Sequence, residues 1–144
     1  MSRVTVLVAA YNAEKYLAES LDSLLGQTLH DIQIVCIDDA STDSTPDILD
    51  EYAARDSRIR VITEKVNRGQ AIARNQGIYI AEGDYITMLD ADDRLSADAL
   101  ESAVNMLDAN PGTGVALFRL VWFDEDGVTP YPMRSDKRVW SGQE

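Results

Sequence analysis

The sequence holds one cysteine, one histidine and few basic residues, and each shortage closes a class of function. A single cysteine allows no disulfide framework, and Cys36 lies in the apolar run Ile34–Ile37, where it reads as a small buried hydrophobe rather than a nucleophile. His30 falls near the end of the predicted first helix, so no nitrogen and sulfur ligand set exists and zinc chemistry is excluded. Lys and Arg number 13 against 25 Asp and Glu, a net charge of −12. That balance excludes a basic patch neutralising a phosphate backbone, and direct nucleic-acid binding with it. No apolar run approaches the roughly 18 residues a membrane-spanning helix needs. The first apolar run meets Tyr11 and Asn12 at once, unlike a signal peptide, which makes a cytoplasmic protein the default. Glycine-rich phosphate loops are missing too: Ala9 to Glu14 reads AAYNAE, neither GxGxxG nor GxxxxGK. What is present suffices for a fold. With 45% hydrophobic and 26% charged residues, a single domain of this length buries roughly 70% of the surface its unfolded chain exposes.

Periodicity organises the chain as strand and helix in alternation. Val4 to Ala10 and Ile32 to Ile37 are nearly continuous apolar runs, the pattern of strands buried on both faces of a parallel sheet. Between them Leu17, Leu21, Leu24 and Leu25 form a helical stripe that Asn12 would cap and Gly26 would end. Thr45 would cap a second helix with Pro46 in its first turn. Ile59 to Ile62 predicts a third strand, the stretch after Gly69 to about Ala81 a third helix, and Asp84 to Leu89 a fourth strand. Ser96 would cap a fourth helix, and Val115 to Phe123 reads as a fifth strand. The expected fold is α/β, an open, mostly parallel sheet in three layers with helices on both faces. From Asp124 the pattern fails: Asp124–Gly127 predicts a turn, and Thr129 to Glu144 no element. Residues 127–144 thus read as the uncertain start of a further region, and the chain as a single domain truncated at its C-terminus.

The acids are concentrated. Asp38 to Asp56 and Glu82 to Glu101 each carry seven acids and one Arg, and together account for the whole excess. The densest, Asp38, Asp39, Asp90, Asp92 and Asp93, fall at or just past the carboxyl ends of predicted strands, the edge at which open α/β sheets bind ligands. Crowded carboxylates repel, and a divalent cation relieves them. With oxygen ligands alone that cation is Mg2+ or Mn2+, which is held by one or two carboxylates together with substrate phosphates and so points to a nucleotide diphosphate.

Four blocks in order, VLVAAYN, QTLHDIQIVCIDDASTD, NRGQAIARNQGI and GDYITMLDADD, resemble glycosyltransferase family 2, enzymes of the GT-A nucleotide-sugar-binding fold. The resemblance covers residues 3 to about 126. It implies that Ala9 offers backbone, and Tyr11 an aromatic face, to the nucleobase, the alternative for Tyr11 being packing at the helix start. It implies that Asp39 accepts the uracil N3 hydrogen, which cytosine lacks, while Asp38 ties down the loop. Arg74 in the ARN block would reach the nucleotide or else form a surface ion pair, with Asn75 beside it the weaker candidate. Asp90-Ala91-Asp92 matches the DxD motif, so Asp92 would coordinate the metal and Asp90 the ribose hydroxyls or a metal-bound water, with Asp93 an additional acid.

The function so implied is inverting, metal-dependent transfer from a UDP-sugar to a carbohydrate or lipid-linked acceptor. It brings polysaccharide biosynthesis and peripheral association of the full-length protein with the inner membrane face. The catalytic base is unknown. It is expected beyond Glu144, with Asp124, Glu125 and Asp126 minor candidates, so this chain should bind donor without transferring it. A non-catalytic nucleotide-sugar-binding module stays open as an alternative. A nucleotidyltransferase is disfavoured, because AAYNAEK is neither glycine-rich nor strongly basic.

Overall fold

The computed structural model describes residues 2–118, 120–124 and 127–130. Its chain divides into two compact units, Met1–Leu100 and Glu101–Glu144.

The first unit is built on four parallel strands, β1 (Val4–Ala10), β2 (Ile32–Asp38), β3 (Ile59–Thr63) and β4 (Tyr85–Asp90), in the order β3-β2-β1-β4. All seven residues of β1 and of β2 are buried, which is why both read as unbroken apolar runs. Successive side chains alternate between faces. Leu7 and Ala9 of β1 and Val35 and Ile37 of β2 share one face, where Ala73 of helix α3 (Gln70–Tyr79) joins them in one core cluster. Helix α1 (Leu17–Leu25) packs on helix α2 (Thr45–Arg55), and α2 on β2 and β3. Right-handed crossovers place α1 and α2 on the face opposite α3, because β1→β2→β3 steps one way along the sheet and β3→β4 returns. This is the expected three-layer arrangement. Leu7, Leu17, Leu21, Leu24, Ile34 and Leu49 are wholly buried, each contributing about 1.5–3 kcal/mol over exposure.

Three helix starts differ from the sequence reading. Asn12 is not a cap: α1 begins at Leu17 after Tyr16, and Asn12 sits at φ 50° with its side chain bonded to another loop. Thr45 is inside α2; Asp43 Oδ1 accepts its N–H (2.9 Å) while Thr45 Oγ1 accepts the N–H of Ala13 (2.8 Å). Helix α4 (Ala99–Ala109), whose first two residues close the first unit, starts three residues after Ser96, whose carbonyl accepts the Ala99 N–H. The side chains of Asn12 and Thr45 found partners in another segment rather than in the next turn, and the Ser96 carbonyl also accepts from the distant Gln27 side chain.

The fifth strand also differs. Residues 113–118 take no regular structure, and the second unit's strands are β5 (Val121–Asp124) and β6 (Gly127–Pro130), antiparallel in a sheet of their own. Val115 and Leu117 stand 69% and 80% exposed, so apolar composition here reports no buried pairing. Glu125 and Asp126, two of the minor base candidates, lie outside the described residues, as do 131–144; of Asp124 only the backbone is described.

At the amino edge of the first sheet two buried polar side chains close the α3–β4 connection. Thr5 Oγ1 donates to Gln33 Oε1 (2.7 Å) and accepts the Gly83 N–H (2.9 Å); Gln33 Oε1 also accepts the Glu82 N–H (2.9 Å). The turn runs so close to β1 that a Cβ on Gly83 would lie 2.5 Å from the Thr5 nitrogen and 2.7 Å from the Val4 carbonyl carbon. Backbone cannot rotate away as a side chain would. Gly83→Ala should therefore cost about 2–3 kcal/mol, measured by denaturant unfolding; a midpoint equal to the parent's would show that the turn yields freely.

Candidate functional site

Register brings the carboxyl ends of three strands level. Ala9 lies opposite Ile37 on one side and Asp90 on the other, and Ala10 opposite Asp38. The strand order reverses between β1 and β4, the switch point at which such sheets open a crevice. A cleft of about 490 Å³ opens there. Ala9 and Tyr11 line it from β1 and its following loop, Asp39 from the end of β2, and Asp90 and Asp92 from the end of β4. Five of the six site residues expected from sequence thus share one cavity, and the sixth, Arg74, reaches it through Asp90. Asp38, Asn75 and Asp93 are not in its lining.

Asp39 is buried, and its backbone N–H donates to the Ala10 carbonyl (2.9 Å). Its carboxylate spans two successive backbone amides: Arg68 N–H donates to Oδ1 (2.9 Å) and Gly69 N–H to Oδ2 (2.7 Å). Gly69, at φ 87°, immediately precedes α3, so Asp39 fixes where that helix begins. Asp38 also holds a loop, accepting the Ser41 N–H at Oδ1 (3.0 Å). A carboxylate offers about four acceptor positions, so two amides leave Asp39 able to accept from a ligand in the cleft.

Helix α3 carries Gln70 and Arg74 one turn apart, and both meet Asp90: Gln70 Nε2 donates to Oδ1 (3.0 Å), and the Arg74 guanidinium pairs with the same oxygen. Arg74 Nε is buried and has no hydrogen-bond partner among the described residues. The DxD segment therefore divides by charge. Asp90 is compensated by Arg74, whereas Asp92 is exposed and forms no hydrogen bond or ion pair among the described residues. Burial, and then the charges of Asp90 and Asp92, raise the Asp93 carboxyl from its ordinary value, as expected where carboxylates stand close together.

Several residues that shape the cleft were given no site role by the sequence. Gln70, Asn12 and Tyr16 line it. Ser20, buried in α1, donates to the Asp90 carbonyl (3.3 Å). Gln27, wholly buried, holds the segment after DxD by donating to the Ser96 carbonyl (2.7 Å) and accepting the Leu100 N–H (3.1 Å). The block QTL contained Gln27, yet only a fold that returns residues 95–100 to α1 shows what it does.

Comparison with known proteins gives the fold a family. The model for glycosyl transferase family 2 matches residues 5–143. The uncharacterized glycosyltransferase EpsJ of Bacillus subtilis is 41% identical over 137 residues, 95% of this chain and 36% of EpsJ. Among solved structures, S. aureus TarS in complex with UDP-GlcNAc superposes with TM-score 0.71 at 32% identity, over 76% of this chain and 32% of that one. The mannosyltransferase PcManGT from Pyrobaculum calidifontis, in complex with GDP-Man and Mn2+, gives 0.74 at 32%, over 82% and 36%. This chain spans between 28% and 43% of the length of three curated relatives it matches. No helix among the described residues is long and apolar enough to cross a membrane. The sheet is that of GT-A glycosyltransferases, and with the family model matched across nearly its entire length, the chain belongs to glycosyltransferase family 2.

Proposed function

We propose that the cleft binds a uridine diphosphate-sugar and that the protein transfers its sugar, with inversion, to an acceptor hydroxyl. The observation that carries this reading is the convergence at one switch point of a buried carboxylate, Asp39, a tyrosine ring, Tyr11, and the paired acids Asp90 and Asp92. The complexes of TarS with UDP-GlcNAc and of PcManGT with GDP-Man support a nucleotide-sugar donor.

Each residue has a part that its chemistry suits. Tyr11 offers its face to the base, alongside the Ala9 backbone, and Asp39 accepts the imide N3–H of uracil. Asp90, oriented by Gln70 and Arg74, accepts from ribose hydroxyls. Arg74, paired with Asp90 at the cleft edge, supplies positive charge on the side where the donor's diphosphate would lie. Among the described residues no group of three or more His, Cys, Asp or Glu side chains could hold a metal by themselves. The donor set nonetheless fits a hard divalent ion that completes its shell with phosphate oxygens: Asp92 is exposed at the cleft, carries only oxygen donors, and sits among acids that repel. Mn2+ in PcManGT supports that assignment. Asp92 would hold the ion, which when bound supplies Lewis-acid stabilisation of the departing diphosphate. In the transfer the acceptor oxygen attacks the anomeric carbon from the face opposite the diphosphate. The bond from that carbon to the diphosphate oxygen breaks with its electron pair going to the oxygen, and the hydroxyl proton passes to a carboxylate base. None of the described side chains is assigned that base. The donor-binding residues lie within residues 1–126, in what we read as a single nucleotide-sugar-binding domain, and we place the acceptor side downstream of them.

A hydrogen bond to a charged acceptor is worth about 1.5–3 kcal/mol, or roughly 10- to 100-fold in affinity. Titration calorimetry with Mn2+ present should show UDP bound tighter than CDP or ADP by that factor, and chelation with EDTA should weaken it. Equal affinities would remove Asp39 from the base subsite. Tighter binding of GDP, whose N1–H also suits a carboxylate, would reassign the nucleoside while leaving the cleft in place.

A further inference from the structure

Past the ends of β1 and β2 the two following loops run together as a ladder of side-chain bonds. Three consecutive backbone donors of the first loop each find a side-chain oxygen of the second loop or of the first residue of α2. The Asn12 N–H donates to Ser41 Oγ (3.0 Å), the Ala13 N–H to Thr45 Oγ1 (2.8 Å) and the Glu14 N–H to Asp43 Oδ2 (3.1 Å). The ladder is reciprocal. The Thr42 N–H donates to Asn12 Oδ1 (2.8 Å) and the Ser44 N–H to Glu14 Oε2 (2.9 Å). Asn12 and Glu14 each both give and receive, and Asn12 alone of the two does so at φ 50°, a conformation that asparagine tolerates and most side chains do not. Across the same seam Ala40 lies at φ 63°, so the chain spends strain on both sides to bring the loops into register.

The seam is anchored at the two positions that bracket the base in the proposed reading. Tyr11 immediately precedes Asn12, and Asp39 immediately precedes Ala40; Asn12 and both of those residues line the cleft. Holding two contact groups at a fixed separation removes ordering cost from binding and sharpens discrimination between similar bases. We propose that Asn12 is a positioning residue for the nucleobase subsite. Its amide oxygen and its left-handed backbone lock the β1–α1 loop to the β2–α2 loop, so that the Tyr11 ring and the Asp39 carboxylate keep one spacing across the cleft. Glu14 supports it from the next rung. The inference rests on the uridine reading of the site.

The test is calorimetric titration of the chain with UDP and with CDP, Mn2+ present, alongside thermal melting without nucleotide. Asn12→Gly keeps the backbone conformation and deletes the side-chain acceptor. It should lower UDP affinity about tenfold and CDP affinity less, so that the UDP-to-CDP ratio falls. Asn12→Asp retains an acceptor at the same place and should keep the ratio within about threefold of the parent's. Glu14→Ala, on the exposed rung, should lower the ratio by a smaller factor, and it provides the reading if the glycine variant fails to fold. A structural role alone would weaken both nucleotides equally and track the melting temperature. An unchanged ratio in Asn12→Gly, or in Glu14→Ala where that variant stands in, overturns the proposal while the uridine reading survives. A parent chain with no preference for UDP over CDP overturns both, and is recognised before any variant is made.

Discussion

Asp92→Asn is expected to abolish the dependence of UDP binding on Mn2+ while leaving the fold intact. Asp90 is already committed, with one oxygen shared by Gln70 and Arg74, whereas Asp92 stands exposed at the cleft without a partner among the described residues. Removing the outer partners of a metal ligand typically costs 10- to 100-fold in metal affinity. Removing the ligand itself should cost at least about 100-fold, which brings UDP affinity in Mn2+ down to its value in EDTA. Stability moves the other way. Burial, and then the charges of Asp90 and Asp92, raise the Asp93 carboxyl above its ordinary value, so deleting the Asp92 charge relieves a repulsion, and the metal-free melting temperature should hold or rise. Asp47→Asn, an exposed acid in the first turn of α2, is the control and should change neither the metal dependence nor the UDP affinity. Titrating both variants with UDP at several Mn2+ concentrations decides the matter. A parent-like Mn2+ response in Asp92→Asn would transfer the ligand role to Asp93 or to the second oxygen of Asp90.

How much of this could be read from the residues alone depends on whether a partner lies near in sequence. Strands β1 and β2 were legible because both faces are buried and the apolar run is unbroken. The acids past β2 and β4 were legible because charge has few uses at the carboxyl edge of a parallel sheet. The helix starts at Asn12, Thr45 and Ser96 were misplaced for one shared reason. Each carries an oxygen that could serve the next turn, but the donor it serves at Asn12 and Thr45 lies about 30 residues away, and at Ser96 the carbonyl rather than the hydroxyl is engaged. Local spacing cannot weigh that competition. Nor could it place β5, since Val115 and Leu117 are as apolar as any strand residue and yet are exposed. The double use of Asp39 was hidden in the same way. The motif marked the residue, but only the return of Arg68 and Gly69 to the end of β2 shows that its carboxylate already holds two amides.

That double use gives Asp39→Asn a larger and more specific effect than the loss of one charge. In the proposed complex three donors face the carboxylate: the N–H groups of Arg68 and Gly69, and the uracil N3–H. Four acceptor positions accommodate them. An asparagine amide keeps one oxygen with two acceptor positions and presents an NH2 in place of the other, so at least one of the three donors is left unpaired. Without nucleotide, the amide can serve Arg68 or Gly69 through its oxygen but sets its NH2 against the other. The start of α3 should loosen, at a cost of about 1–3 kcal/mol in denaturant unfolding. With nucleotide, the two acceptor positions of that oxygen must be divided among three donors, so uracil competes with the Arg68 and Gly69 amides, and UDP affinity should fall roughly 10- to 100-fold. Cytosine differs from uracil at the decisive atom, because its N3 accepts where uracil's donates. If the NH2 faces the cleft it matches cytosine, and CDP should lose little affinity or gain some, so the UDP-to-CDP preference should collapse or invert. Titrations of parent and variant with both nucleotides measure that ratio directly. A variant that is destabilised yet keeps the parental preference for UDP would confine Asp39 to the Arg68–Gly69 turn and move base recognition to another group in the cleft.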